Sequence, residues 1–367
     1  MRSSKLIWRQ IPVTTKYRYR VVLTIATVWV LIDLLYLFVR LRLPGISPDR
    51  DLFNYNSFPV VLLRASLVFV FSGMMAFVLF YQAHRNTMEL PLGLNFLIKI
   101  VLLILLAFLM NFCLYYLHAI IFLHRTPGRS MRNFSYYAFN TTWMIKKFPG
   151  WILTFAFLQV MVEVIKKYSP DIFFDVLMGK YRHPKVEKRI VMFIDLKDST
   201  PIAEKLGHVE YFKFIRLFIE TVSMALMRYH GRIYQYVGDE IVVSWIYNPR
   251  NAKHCVDVLI ETRKLIQQQG EDFRRQFDIV PEFRVGIHIG EVTVGEIGVL
   301  KKDLAMSGDT MNTTARIRSA CSELNQKFIV SKDVIDTLDL KDWQSESLGI
   351  IDLKGKKTGI ELFALKI

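Results

Sequence analysis

The sequence predicts an N-terminal all-α transmembrane bundle of four helices, followed by an α/β domain with a ferredoxin-like βαββαβ core. Long apolar runs are confined to residues 20–165, whereas residues 180–367 have the composition of a water-soluble domain. In that second half, β-branched runs alternate with segments of helical periodicity and include one tight hairpin. This pattern is typical of an α/β layer.

Four apolar segments in residues 1–167 are predicted to cross a bilayer. They cover about 21–39, 58–81, 96–123 and 150–165. The first follows a basic N-terminus and has no small-residue cleavage site after it, so we interpret it as a membrane helix rather than a signal peptide. Arg64 lies near one end of the second and is expected to snorkel to the interface. The fourth is short for a span, and Lys166 and Lys167 end it.

Charge distribution predicts the topology. Four spans and a basic N-terminus place both termini in the cytoplasm. The segment from His124 to Gly150 is predicted to be a loop, and it carries five Lys and Arg residues yet would lie outside. A three-span topology would bring it inside only if the N-terminus were outside. We therefore predict four spans, lipid contacts, and a membrane half that acts as a candidate sensor of an unknown ligand.

Composition indicates which partners and which cellular compartment to expect. The net charge of +15 is attributed to topology and lipid contacts. No basic stripe is interleaved with stacking aromatics, so nucleic acid is not expected as a partner. Three scattered cysteines form no disulfide framework, which favours a reducing compartment for the second half. Residues 168–187 are predicted to form a linker or transducer helix before a catalytic domain at 188–367.

The elements of the second half follow in order. Strands are predicted at about 189–195, 232–237, 240–246, 282–289, 291–297, 328–330, 347–353 and 360–365. Helices are predicted at about 202–229 and 251–269, and from residue 309 or 310 to 321. The pair of strands around Gly238 and Asp239 forms a hairpin, because Gly-Asp is a turn dipeptide.

Two aspartates end adjacent strands. Asp195 follows the apolar run that begins at Arg189, and Asp239 follows the run that ends at Gly238. Each alone is an ordinary turn aspartate. Together they offer the oxygen ligands that Mg²⁺ or Mn²⁺ prefers and shares with substrate phosphates. Two such ions would suit an in-line displacement at phosphorus.

A second group of polar residues follows later. Asn312 and Arg316 are four residues apart and share one face of the helix predicted to start at Asp309 or Thr310. An amide and a guanidinium on one face suit a sugar and a phosphoryl transition state. Lys354 follows a predicted strand and precedes a glycine, where an ammonium can reach phosphate oxygens.

In combination, these motifs resemble the class III nucleotidyl cyclase catalytic domain over residues 188–367. They are F-x-D-L at 193–196, G-D at 238–239, G-x-H-x-G-x-V at 286–292, G-D-x-x-N-x-x-x-R at 308–316 and K-G-K at 354–356. The resemblance implies that Asp195, Asp239 and the backbone carbonyl of Leu196 bind two metal ions. It implies a transition-state role for Asn312 and Arg316, and triphosphate binding by Lys354. It also implies a homodimer that shares these residues between subunits.

Base selection departs from the family pattern. The purine-reading position four residues before Asp239 holds Gln235, and its partner position holds Ala305, or Asp303 if the length differs by one. Gln donates and accepts hydrogen bonds and excludes neither purine. The resemblance to membrane-anchored relatives favours an adenylate cyclase of the inner (plasma) membrane acting on ATP, with GTP open. A diguanylate cyclase, echoed by the residues 237–240, and a catalytically silent signalling module are the alternatives.

Overall fold

The computed structural model describes residues 13–42, 58–78, 91–140, 149–150, 152–153, 156–157, 160, 175, 178–300, 303–338, 344–353, 356 and 359–367. The chain forms two compact units, Met1–Phe173 and Phe174–Ile367.

The described part of the first unit is helical. Its helices are α1 (Val13–Arg42), α2 (Phe58–Phe77), α3 (Leu92–Ile121) and α4 (Pro127–Asn140). Among the described residues, α1, α2 and α3 are long and apolar enough to cross a membrane. They pack through Ile25, Met75 and Leu103. The predicted spans at 21–39, 58–81 and 96–123 correspond to these helices, whereas most of the span predicted at 150–165 lies outside the described residues.

Helix α4 corrects the interpretation of residues 124–150 as a loop. Phe134 and Ala138, four residues apart, are buried against Tyr115 and Ala119 of α3. The Phe134 ring meets that of Phe112 edge-on, with centroids 5.1 Å apart. The basic residues of this segment obscured its apolar face in the sequence, because an amphipathic helix needs only a narrow apolar stripe.

Arg64 does not serve only as an interfacial residue. Its Nε and Nη2 donate to the two carboxylate oxygens of Asp33, each at 2.6 Å, which joins α2 to α1. Both side chains are mostly buried, at 12% and 19% exposure. Since removing one partner of such a pair strands a charge in an apolar setting, the two residues stabilise the bundle only together.

The second unit is an α/β domain. Among the described residues, its strands are β1 (Lys185–Leu196), β2 (Arg232–Val237), β3 (Glu240–Ile246), β4 (Phe283–Ile297), β5 (Asp303–Ser307), β6 (Phe328–Ser331), β7 (Ser345–Ile351) and β8 (Ile360–Leu365). Its helices are α5 (Ser199–Arg228), α6 (Pro249–Gln268), α7 (Gly270–Phe277), α8 (Asp309–Glu323) and α9 (Lys332–Ile335).

The sheet confirms the predicted ferredoxin-like core. Its strand order is β2-β3-β1-β4-β6-β8-β7, with β5 paired to β4. All neighbouring strands in this sheet are antiparallel except β4 and β6, which run parallel. The order of elements β1-α5-β2-β3-α6-β4 is therefore the βαββαβ unit that the alternating pattern predicted.

The two faces of β1 have different partners. Ile190, Met192 and Ile194 belong to the main core with Phe214 and Phe218 of α5. Val191 and Phe193 belong to a second cluster that includes Met311 and Ala315 of α8. Since side chains alternate between the faces of a strand, Asp195 lies on the α8 face.

Two sheet details differ from the prediction. β4 is one continuous strand rather than strands at 282–289 and 291–297, and β5 was not predicted. Gly290, which was predicted to separate the two strands, lies within β4. Its lack of a side chain leaves space for Thr310, because a Cβ there would overlap the Thr310 side chain. β5 is short and depends on pairing with the end of β4, from Thr293↔Ser307 to Ile297↔Asp303.

Candidate active site

The fold places Asp195 and Asp239 side by side. Asp195 is the next-to-last residue of β1. Asp239 lies in the β2–β3 turn, where Gly238 adopts a φ of +65° that a glycine adopts without strain. Ile194 of β1 is paired with Ile241 of β3, so this turn adjoins the end of β1. The hairpin agrees with the prediction from the Gly-Asp dipeptide.

The electrostatics show that these carboxylates share one environment. Burial raises the pKa of Asp195, Arg318 opposes that shift, and the nearby charge of Asp239 adds to it. The pKa of Glu240 is also raised, first by burial and then by Asp195 and Asp239, against Arg318. Desolvation disfavours the ionised carboxyl, and neighbouring negative charges disfavour it further. An additional cation would therefore be stabilised here.

The donor set suits a divalent cation. Asp239 Oδ2 is buried and has no hydrogen-bond partner within the described part of the chain. An unsatisfied carboxylate oxygen beside a second carboxylate is costly unless a cation binds. Leu196, whose backbone carbonyl is the third predicted ligand, is buried at the end of β1. Among the described residues, no group of three or more His, Cys, Asp or Glu side chains has a metal-binding arrangement.

Arg318 is a site residue that the sequence did not reveal. Its Nη1 lies 3.3 Å from Asp195 Oδ2 and its Nη2 lies 2.6 Å from Glu240 Oε2. It follows Arg316 by two residues and therefore occupies a different face of α8. No local signal distinguishes the two arginines, because the partners of Arg318 are more than 70 residues away in sequence.

Glycines in β4 bring α8 onto the sheet. A Cβ at Gly286 would lie 2.5 Å from the backbone nitrogen of Arg318 and 2.9 Å from the carbonyl oxygen of Thr314. At Gly290 it would overlap Thr310, whose hydroxyl donates to the carbonyl of Glu291 at 2.6 Å. The G-x-H-x-G motif therefore provides the close helix–sheet contact that positions α8.

Asn312 and Arg316 both lie on α8. Asn312 is exposed and Arg316 is half-buried on α8. Within the described residues, neither side chain hydrogen bonds or pairs with Asp195 or Asp239. A single protomer thus does not bring the two predicted groups into direct contact.

The K-G-K segment is described only at Lys356. Its Nζ pairs with the carboxylate of Asp309, at the first residue of α8, and this hydrogen bond lowers the pKa of Asp309. Lys354, the predicted triphosphate ligand, lies outside the described residues. His288 lies within β4 and is 13% exposed. Its Nδ1 is 2.8 Å from Ser331 Oγ.

The two positions predicted to select the purine lie on strands that are joined by a hydrogen bond. Gln235 is exposed on β2, immediately after a register shift between Ile233 and Gln235. Tyr234 Oη accepts a hydrogen bond from the N–H of Met306 on β5. Ala305, the residue before Met306, is half-buried, and the alternative Asp303 is exposed at the start of β5.

Comparisons with known proteins agree with this geometry. A family model described as the adenylate and guanylate cyclase catalytic domain matches residues 181–366. Adenylate cyclase 2 of Rhizobium meliloti is 32% identical over 207 residues, 56% of this chain and 57% of that protein. An adenylate cyclase of Anabaena cylindrica is 22% identical over 233 residues, 58% of this chain and 45% of that protein. The chain spans about half the length of these curated relatives.

One solved structure shows the same fold. A bacterial light-regulated adenylyl cyclase superposes with a TM-score of 0.52 at 17% sequence identity. The superposition covers 60% of this chain and 65% of that chain.

Proposed function

Because the chain belongs to the adenylate and guanylate cyclase catalytic-domain family, we propose that it is a membrane-anchored adenylate cyclase. It converts ATP to cyclic AMP and pyrophosphate. The observation that carries this proposal is the adjacent pair Asp195 and Asp239, with the buried, unsatisfied Asp239 Oδ2 beside a second carboxylate. That arrangement calls for a cation at the point where nucleotide phosphates would bind.

The residues that would hold two Mg²⁺ or Mn²⁺ ions are Asp195, Asp239 and the backbone carbonyl of Leu196. Such ions neutralise phosphate charge and make a hydroxyl a better nucleophile. The chain's own contribution is a frame of paired strands: Asp195 lies near the end of β1, and Asp239 lies in the turn that leads into β3, the antiparallel neighbour of β1. Their partial burial strengthens each electrostatic interaction at the site.

The chemical step is an internal displacement. The ribose 3′-oxygen forms a bond to the α-phosphorus and loses its hydroxyl proton to solvent. The bond between the α-phosphorus and the oxygen that bridges to the β-phosphorus breaks, and pyrophosphate leaves. Arg316 stabilises the charge that develops on phosphorus, and Asn312 orients the ribose. Loss of such an arginine costs about a thousandfold in rate. Lys354 binds the triphosphate.

A homodimer supplies the complete site. Among the described residues, Asn312 and Arg316 form no hydrogen bond or ion pair with Asp195 or Asp239; Asn312 is exposed and Arg316 is half-buried on α8. In a two-fold dimer, each copy would offer its carboxylates to one site and its Asn and Arg to the other. Two equivalent sites would result.

ATP is the proposed substrate, and GTP is the alternative. The similar proteins of Rhizobium meliloti and Anabaena cylindrica are both adenylate cyclases. Gln235 reads either purine, because its amide donates and accepts. Ala305 offers no polar side chain, so selection would depend on Gln235, with Asp303 as the alternative partner position.

The first unit would anchor the enzyme in the inner (plasma) membrane. Its three apolar helices have the length needed for crossing. With the fourth span predicted at 150–165, a cytoplasmic N-terminus would place the catalytic domain in the cytoplasm as well, where ATP is available. The bundle is a candidate sensor whose ligand is unknown.

A product assay tests the function. The full-length chain in detergent micelles is supplied with ATP or GTP separately, under Mg²⁺ or Mn²⁺, and products are separated by chromatography. We expect cyclic AMP from ATP, and its loss in Asp239→Asn. Asp278→Asn, which changes an exposed turn carboxylate paired with Lys205, is the matched control. Cyclic di-GMP formed from GTP would identify a diguanylate cyclase. The absence of any product under all conditions would indicate a catalytically silent signalling module.

A further inference from the structure

We propose that Arg318 is a positioning residue that competes with divalent cations for the Asp195 carboxylate and is retained at the site by Glu240. This inference depends on the proposed function in one respect: it takes Asp195 and Asp239 as the metal ligands. It adds Arg318 and Glu240 to the site as residues that set its affinity for the cation.

The side chain of Arg318 extends across the sheet from α8. Its backbone lies against Gly286 of β4, where even a Cβ would come within 2.5 Å of the Arg318 nitrogen. The neighbouring strand is β1, which carries Asp195, and the next is β3, which begins at Glu240. The guanidinium therefore extends over three strands, from a backbone position that lies close against the sheet.

The two carboxylate contacts of Arg318 differ. Nη2 forms an ion pair with Glu240 Oε2 at 2.6 Å, without hydrogen-bond geometry, whereas Nη1 donates a long hydrogen bond to Asp195 Oδ2 at 3.3 Å. Since Coulomb attraction falls with distance, the Asp195 contact is the weaker one. Asp195 can thus be released while Arg318 remains paired with Glu240.

Negative charge is concentrated around Arg318. Asp195 and Glu240 both lie within ion-pair distance of its guanidinium, and Asp239 directly precedes Glu240 in the β2–β3 turn. Arg318 contributes one permanent positive charge, because a guanidinium stays protonated in proteins. A divalent cation bound to Asp195 takes over that neutralisation and repels the guanidinium. Arg318 therefore weakens cation binding, and Glu240 limits this effect by holding Arg318 away.

The test measures Mn²⁺ binding without nucleotide. The full-length chain in detergent micelles is titrated with Mn²⁺ alone at pH 8, and free Mn²⁺ is followed by its electron paramagnetic resonance signal. We expect Arg318→Gln to lower the apparent Kd for Mn²⁺ by about fivefold, since one nearby like charge is worth about 1 kcal/mol in water. Glu240→Gln should raise the apparent Kd, because Arg318 then has Asp195 as its remaining carboxylate among the described residues.

Two controls accompany these variants. Arg216→Gln removes an exposed arginine that is paired only with Glu220 in the described chain, and should leave the Kd unchanged. Arg318→Lys keeps the charge but cannot make both contacts, because an ammonium is not a planar fork. It should bind Mn²⁺ more tightly than the wild type, and it provides a second reading if Arg318→Gln is poorly folded.

The outcomes separate the two proposals. Loss of Mn²⁺ binding in Asp195→Asn is required by the proposed function, and unchanged binding in that variant would overturn both proposals. Binding that depends on Asp195 but is unchanged or weakened in both Arg318 variants would overturn this inference alone. A lower Tm in those variants with an unaltered Kd would show that Arg318 acts only as a structural ion pair.

Discussion

The phenol oxygen of Tyr234 accepts a hydrogen bond from the backbone N–H of Met306 at 2.9 Å. It thereby joins β2 to β5 at the two strands that carry Gln235 and Ala305. Tyr234→Phe removes this link and leaves the Met306 N–H without its partner. We expect KM for ATP to rise about fivefold at similar kcat, because a hydrogen bond contributes about 1 kcal/mol. Steady-state kinetics with ATP and GTP measure this. Tyr236→Phe, at an exposed position on the same strand, is the control.

Complementation between inactive variants tests the shared site. Asp195→Asn and Arg316→Ala should each abolish activity alone. Coexpressed, they should recover about a quarter of wild-type activity, because half of the dimers are mixed and each mixed dimer has one intact site. Product formation by the purified mixture measures this recovery. Absence of recovery, despite mixed dimers in a pull-down of differently tagged chains, would contradict a composite site.

Gly286→Ala should destabilise the second unit. The added Cβ would lie 2.5 Å from the Arg318 nitrogen and 2.9 Å from the Thr314 carbonyl oxygen, both in the backbone of α8. Such overpacking costs about 1–3 kcal/mol. Denaturant unfolding followed by tryptophan fluorescence gives the change. Gly270→Ala, where nothing lies within 4 Å of the new Cβ, should be neutral; equal losses in both variants would refute the packing argument.

His288 should make stability depend on pH. Burial lowers its pKa, and Asp333, whose carboxylate is 3.6 Å from Nδ1, opposes this. The folded state therefore binds the proton less tightly than the unfolded chain, whose histidine pKa is about 6.5. The contribution of His288 to the free energy of unfolding is present above a pH of about 6.5 and is lost as pH falls through the lower pKa of the folded state.

Thermal unfolding measured from pH 7.5 to pH 5 checks this contribution. His288→Gln should flatten the decline in Tm, since Gln has no charge to gain and still reaches Ser331. His208→Gln, at an exposed position, should retain the wild-type slope. Parallel curves for His288→Gln and the wild type would exclude the effect.

The Asp33–Arg64 pair should be required by the helical bundle. Asp33→Asn removes a carboxylate that receives two bonds from Arg64, and breaking a buried pair costs about 3–5 kcal/mol. Exchanging the two residues, Asp33→Arg with Arg64→Asp, should restore part of the loss. Helix melting in micelles, followed by circular dichroism, measures both. The control Thr24→Ala removes only a hydroxyl bond to the carbonyl of Arg20 in the same helix.

The sequence by itself determined the elements that depend on local patterns. Apolar length predicted α1, α2 and α3, and the Gly238-Asp239 dipeptide predicted the hairpin that presents Asp239. The alternation of strands and helices predicted the ferredoxin-like core. In each case the physical signal lies within a short window of the chain, either the length of a bilayer span, the φ of a turn glycine or the period of an element.

Only the tertiary structure decided the features that depend on distant partners. β5 forms because the end of β4 is there to pair with it. The amphipathic helix α4 is stabilised by Tyr115 on α3. Arg318 and Asp195 meet across 123 residues of chain because two glycines in β4 admit the backbone of α8. Sequence spacing does not show which distant side chains contact each other, so the contacts of Arg318 with Asp195 and Glu240 were identified only in the tertiary structure.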